Sequence, residues 1–229
     1  MKHTLLIKDW LSSFLSLLFP HCCVVCGRPL AKGEECICTV CNINLPRTNY
    51  HLRKDNPVER LFWGQIPLER ATSFFFYEKG SDFRLILHRL KYGGQKEIGA
   101  IMGRYMAAEL LSSNFFQGID VIIPIPLHKK KQQIRGYNQS EWIARGIAAV
   151  TGIPIDTESI LRKKNTETQT RKSVFERRDN VEGIFELQHP ETLAGKHILI
   201  VDDVLTTGST TLACASCLVT VSYTHLRAH

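Results

Sequence analysis

Apolar residues along this chain fall into short blocks whose spacing switches between helical and extended periods. Leu6, Ile7, Trp10, Leu11, Phe14, Leu15 and Leu18 recur on one helix face, predicting an amphipathic helix within residues 1–20. The aromatic-rich run Ser73–Tyr77 reads as a strand. Phe83, Ile86, Leu87 and Leu90 share a helix face that Ser81 or Asp82 can cap and that Gly93-Gly94 ends. A second helix covers Ile98–Leu111, and Val121–Pro126 reads as a buried strand leading into a loop. Ser140 opens a helix through Trp142, Ile143, Ile147 and Ala148, which ends at Gly152. Leu161–Arg171 is polar, basic and poorly periodic, a long loop of the kind that covers binding sites, and Gly183–Phe185 is a strand. Ile198–Val201 is aliphatic throughout, as a strand buried on both faces must be, and a loop and a helical run follow it. This order predicts an α/β domain with a parallel sheet, flanking helices and right-handed crossovers.

A chain of 229 residues with 44% hydrophobic content can hold one large domain or two unequal ones. Its net charge of +7 favours polyanionic partners, although a basic surface alone names none. The apolar run Leu11–Phe19 is too short to span a bilayer, and no small-residue cleavage site precedes Pro20. We therefore expect a docked helix, no membrane span and a cytoplasmic protein.

Six of the eight cysteines lie between positions 22 and 41. Cys23-x-x-Cys26 and Cys38-x-x-Cys41 form two knuckles 11 residues apart, and four thiolates so spaced can close a tetrahedral site around zinc. Too few apolar residues lie between the pairs to form a core without the metal. Two disulfides are the alternative, which a cytoplasmic setting disfavours. Cys22 or Cys36 could replace a neighbour in the ligand set, and Cys214 and Cys217 read as small packing residues. The module ends near Leu45-Pro46. The chain thus divides into an amphipathic helix (1–20), a zinc-binding module (21–46), a connecting segment (47–70) and the α/β domain (71–229).

Two segments of that domain carry candidate chemistry. Asp202 and Asp203 stand at the carboxyl end of the Ile198–Val201 strand, where open α/β sheets bind ligands. Gly208 allows close backbone approach, while Thr206, Thr207, Ser209 and Thr210 can donate hydroxyls to a phosphate at a helix N-terminus. Paired carboxylates beside a phosphate cradle suit ribose hydroxyls, or a magnesium ion near them, so the implied ligand is a sugar 5'-phosphate. A response-regulator receiver also pairs aspartates after a strand, but only 19 residues follow Thr210, too few for the rest of that fold. The second segment, His128–Gln139, bunches Lys129, Lys130, Lys131 and Arg135 directly after a strand. Such cations suit pyrophosphate, a nucleic-acid backbone, or simply solvent. His88 reads as a surface residue, and Lys91 as a solvated lysine that could also reach an anion.

The run Val201–Thr210 resembles the phosphoribosyl pyrophosphate (PRPP) motif of type I phosphoribosyltransferases. Taken with Phe19-Pro20 before the first Cys-x-x-Cys pair, Leu90-Lys91-Tyr92, Pro124–His128, Arg135–Gln139, Thr168-Gln169 and Arg177-Arg178-Asn180-Val181, it makes the chain resemble the ComF family. That resemblance implies a small zinc module followed by a type I phosphoribosyltransferase-like domain. It implies a role in DNA uptake during natural transformation, with single-stranded DNA and an uptake helicase as partners. By position, Asp202 and Asp203 would hold ribose hydroxyls and Thr206, Thr207, Gly208, Ser209 and Thr210 the 5'-phosphate. Lys129, Arg135 and Gly136 would face pyrophosphate, and Thr168, Gln169 and Arg171 resemble a flexible loop that closes over PRPP. One departure is expected to matter. Val219–His229 lacks the apolar strand that would end the family's sheet, so we expect a domain truncated at its C-terminus, with an exposed sheet edge.

Two functions follow. One is a competence protein with a PRPP-binding domain that supports DNA uptake. The other is a magnesium-dependent transferase displacing pyrophosphate from PRPP with a base or amine, although no segment forms a recognisable nucleobase pocket. A purely structural zinc adaptor would leave the phosphate loop unexplained.

Overall fold

The computed structural model describes residues 21–164, 183–219 and 226–228. The helix expected within residues 1–20 lies outside them, as do Thr168, Gln169, Arg171, Arg177, Arg178 and Asn180. The elements in order are α1 (Thr39–Ile43), α2 (Pro57–Arg60), β1 (Leu68–Ala71), α3 (Arg84–Tyr92), α4 (Glu97–Leu110), β2 (Val121–Pro124), α5 (Lys129–Arg135) and α6 (Gln139–Thr151). They continue with β3 (Ile160–Arg162), β4 (Phe185–Leu187), α7 (Pro190–Leu193), β5 (Ile198–Val201), α8 (Ser209–Val219) and β6 (Leu226–Ala228). Residues up to Pro46 group with Tyr77–Ile86 in a smaller unit, and Arg47–Phe76 group with the chain from Leu87 onward in a larger one.

In the larger unit, four parallel strands form a sheet in the order β1-β6-β5-β2. β2 and β5 pair in register from Val121 opposite Ile198 to Pro124 opposite Val201, and every residue of both is buried. On the far side of β2, the Ile122 N–H donates to the Pro154 carbonyl and the Asp156 N–H to the Ile122 carbonyl, each at 2.9 Å. One sheet face, with Val121, Ile123, Ile198 and Ile200, packs on Ala213, Cys214 and Leu218 of α8 and on Ile160 and Phe185 of the β3–β4 antiparallel hairpin. Helix α6 packs against β2 and β5 and is itself crossed by α4. That crossing depends on glycine: a Cβ on Gly103 would collide with the Ile143 carbonyl, and one on Gly146 with the Ala100 carbonyl.

The mixed α/β architecture with its parallel sheet and right-placed helices follows the apolar pattern, and several details differ from it. The first strand is Leu68–Ala71 and not Ser73–Tyr77. As an edge strand paired on one side it tolerates the polar Glu69 and Arg70, which hide it from a search for apolar runs. Residues 47–70, expected as a connection, hold a 3-10 turn (Tyr50–Leu52), α2 and most of β1. Asn56 makes a full capping box for α2, accepting from the Val58 and Glu59 N–H groups while Glu59 accepts from its own N–H. The basic segment after β2 is a helix, α5, capped by the His128 ring nitrogen at one end and by Gly136 in the left-handed region at the other. Leu161 and Arg162 belong to β3, not to a loop.

The tail also corrects an expectation. Leu226–Ala228 forms β6, which lies between β5 and β1 and pairs in parallel with both. The strand expected to be missing is therefore present as a three-residue segment. Backbone pairing on both sides defines it, and no apolar run announces it.

Candidate functional site

In the smaller unit, the ligand atoms of Cys23, Cys26, Cys38 and Cys41 all lie within 4.8 Å of one another. The Sγ atoms of Cys26 and Cys38 are 3.7 Å apart. A tetrahedral zinc with Zn–S bonds of about 2.3 Å needs sulfurs about 3.8 Å apart, so the set fits zinc. Between the adjacent Cys22 and Cys23, it is Cys23 that joins the cluster, and no disulfide forms among the described residues. The knuckles are built locally. The Gly27 N–H donates to the Cys23 carbonyl at 2.9 Å, with Gly27 in the left-handed region. The Cys38 N–H donates to Cys23 Sγ at 3.3 Å and the Cys41 N–H to Cys38 Sγ at 3.4 Å, the amide–sulfur bonds that orient thiolates around a cation. Glu34 ties the knuckles together by accepting from the Ala31 and Thr39 N–H groups. A hydrogen bond from the Arg28 backbone pulls the exposed Cys26 thiol down to about 6, with its cysteine neighbours helping, while burial pushes Cys41 up.

In the larger unit, Asp202 and Asp203 follow directly after β5. The Asp203 N–H donates to Asp202 Oδ1 at 2.8 Å, and the Ser140 hydroxyl, from the first turn of α6, donates to the same oxygen at 3.2 Å. Lys91 Nζ, near the end of α3, lies 3.0 Å from Asp203 Oδ2. Burial, and then the neighbouring charge of Asp203, push Asp202 up to about 7, against the opposing pull of Lys91 and Ser140. Beyond the carboxylates, Thr206 and Thr207 are exposed, and the Thr207 and Ser209 hydroxyls lie 2.8 Å apart. Ser209 and Thr210 begin α8. Gly208 is buried at φ +73°, and a Cβ there would sit 3.1 Å from two carbons of the Phe62 ring. Phe62, itself buried, thus packs directly against the loop.

The Arg135–Ser140 segment is held against this carboxylate end. The Tyr137 hydroxyl donates to the Leu90 carbonyl at 2.5 Å, and the Asn138 amide to the Ile125 carbonyl at 3.0 Å. Arg135 donates to the Gln139 side chain at 2.7 Å. Lys129 instead opens α5 and lines a cavity of about 480 Å³ with His128, Gln132, Asn138 and Arg162 among its walls. Asp202–Thr210 are not among the residues that line this cavity. Burial lowers the pKa of Arg162, while the charge of Asp202 acts to raise it. Lys91, Ser140 and Phe62 are the residues that pattern reasoning missed at this site. The Leu90-Lys91-Tyr92 and Asn138-Gln139-Ser140 strings were visible, but only the fold brings them to Asp202 and Asp203.

These features define an α/β protein in which a four-cysteine metal-type centre accompanies a parallel sheet ending in a carboxylate pair and a hydroxyl-rich loop. No family model matches the chain. DNA utilization protein YhgH of Escherichia coli O157:H7 is 32% identical over 209 residues, covering 85% of this chain and 88% of that protein. Competence protein F of Haemophilus influenzae is 31% identical over 130 residues, or 55% of this chain and 57% of that protein. Competence protein ComFC of Bacillus subtilis is 25% identical over 210 residues, or 90% and 75%. The chain belongs to the ComF family. No helix among the described residues is long and apolar enough to cross a membrane.

Proposed function

We propose that the protein serves DNA uptake or utilization through a type I phosphoribosyltransferase-like domain that binds PRPP, with a structural zinc in the four-cysteine module. Single-stranded DNA and an uptake helicase are its partners in this reading. The observation that carries the ligand is the carboxylate pair at the end of the buried strand β5, with a hydroxyl- and glycine-bearing loop opening a helix beside it. Asp202 and Asp203 accept from the ribose hydroxyls. Thr206, Thr207, Ser209, Thr210 and the N-terminal amides of α8 take the 5'-phosphate, where the helix dipole favours an anion. Arg135 and Lys129 supply cationic charge toward pyrophosphate. Magnesium enters with the ligand, since it favours substrate phosphate oxygens supplemented by one or two carboxylates. The names of the relatives, DNA utilization protein and competence protein, support the DNA role.

The test is a calorimetric titration of PRPP with magnesium into the zinc-loaded protein. Saturable binding that the Asp202→Asn, Asp203→Asn double variant abolishes is the expected result. A folded protein that takes up no PRPP would sink the ligand assignment. Loss of transformation in the double variant, with DNA binding retained, would show that the DNA role needs the site.

A second reading, a transferase acting on an unidentified base or amine, draws on the cavity beside α5, which could admit a small acceptor. Catalysis would then rest on positioning and on stabilising charge as pyrophosphate leaves. Release of pyrophosphate from PRPP only when an amine or base is supplied would distinguish it.

A further inference from the structure

Tyr92 is the last residue of α3, adjacent to the Lys91 that pairs with Asp203, and its side chain is 70% exposed. An exposed tyrosine is ordinarily unremarkable. This one is bracketed. The His88 ring lies 5.3 Å from its centroid, tilted by 51°, and the Arg135 guanidinium lies 5.7 Å from it. Arg135 is itself steadied by Gln139, and the backbone under Tyr92 is pinned by the Tyr137–Leu90 hydrogen bond. The ring is therefore held in place while much of it faces solvent. Helix α5, which carries Arg135, contains no acidic residue and exposes Lys129 and Lys130, and Ile134 on the same helix is 86% exposed.

An ordered aromatic ring beside an arginine, with lysines along the adjoining helix, has the composition of a platform for single-stranded nucleic acid. Each base offers a π-face to the ring, and the backbone offers phosphates to the lysines. A free phosphorylated ligand would need the lysines but not the exposed ring. We propose that single-stranded DNA stacks a base on the solvent-facing part of the Tyr92 ring, which His88 and Arg135 flank, and lays its phosphates over Lys129 and Lys130. This rests on the reading of the protein as one that handles DNA, and does not depend on PRPP binding.

The experiment is fluorescence anisotropy of a labelled oligothymidylate with the zinc-loaded full chain at fixed salt. Tyr92→Ala should weaken binding roughly tenfold, as loss of one stacking platform does. Tyr92→Phe, which keeps the π-face, should bind within about twofold of the parent. A duplex of equal length should be insensitive to Tyr92→Ala. Oligothymidylate binding that is unchanged in Tyr92→Ala, or lost equally for duplex, would overturn the platform and leave the DNA role standing. Absence of any DNA binding by the parent chain would overturn both. Folding is checked by the zinc content and melting temperature of each variant.

Discussion

Lys91 and Asp203 lie 112 residues apart in sequence and meet at 3.0 Å, the ammonium from the end of α3 on the carboxylate that follows β5. Both side chains are largely withdrawn from solvent, at 22% and 14% exposure, so the pair is screened less than a surface bridge. Lys91 also opposes the upward shift of Asp202. One cation thus offsets a pair of adjacent carboxylates that would otherwise repel a ligand bearing phosphates.

Replacing it should therefore weaken PRPP more than it weakens the fold. Lys91→Met keeps the length of the side chain and removes its charge. We expect PRPP affinity to fall by about tenfold or more, or ~1.4 kcal/mol, in calorimetry. Equal affinity in the variant would show that Lys91 serves only to anchor α3.

The zinc prediction rests on the sulfur geometry. One zinc per chain is expected by metal analysis, with Cys23→Ser or Cys38→Ser abolishing it and Cys22→Ser or Cys36→Ser retaining it. Structural zinc binds finger peptides with about 10–16 kcal/mol, far more than so small a module can replace from its core. Chelation should therefore release protease-sensitive sites within residues 21–46. A chelated module as protease-resistant as the zinc-loaded one would contradict this.

Gly208 and Phe62 test how the loop before α8 is held. Gly208→Ala places a Cβ 3.1 Å from the Phe62 ring at a left-handed φ, a strain of about 1–2 kcal/mol before any contact is counted. Phe62→Ala removes a side chain that is 1% exposed, for which a loss of about 3–5 kcal/mol is usual. Because the two touch, their effects should not add: Gly208→Ala should cost less in a Phe62→Leu background. Strict additivity in denaturant titrations would mean that backbone strain alone limits the site.

Sequence made some of this legible, and the reasons are local. β5 is read directly because a strand buried on both faces must be continuously apolar, and the cysteine ligands because four sulfurs around one ion impose a spacing. β1 and β6 escaped for the opposite reason. β1 lies at an edge with Glu69 and Arg70 in it, and β6 is three residues long with Arg227 at its centre. The carboxylate pair was visible, but Lys91 and Ser140 lie 112 and 62 residues before the aspartates they touch, and no periodicity encodes that meeting. The basic helix α5 read as a loop because its seven residues show one apolar position, Ile134, too few to set a period.

The pH dependence of Asp202 should run in opposite directions for stability and for binding. Burial and Asp203 lift its folded-state pKa to about 7, whereas in the unfolded chain it titrates near ~4. Between those values the folded state holds the proton and the unfolded state does not. Asp202 thus contributes most stability below pH ~4, and that contribution is lost as pH rises toward about 7. Asp202→Asn, uncharged at every pH, should flatten this part of the profile and melt higher than the parent above pH 7. PRPP binding needs the charged acceptor, so its affinity should instead rise as pH passes upward through about 7. Melting curves and PRPP titrations across pH 5–8.5 check both slopes. If Asp202→Asn leaves the melting profile unchanged, Asp202 is not the group that titrates there.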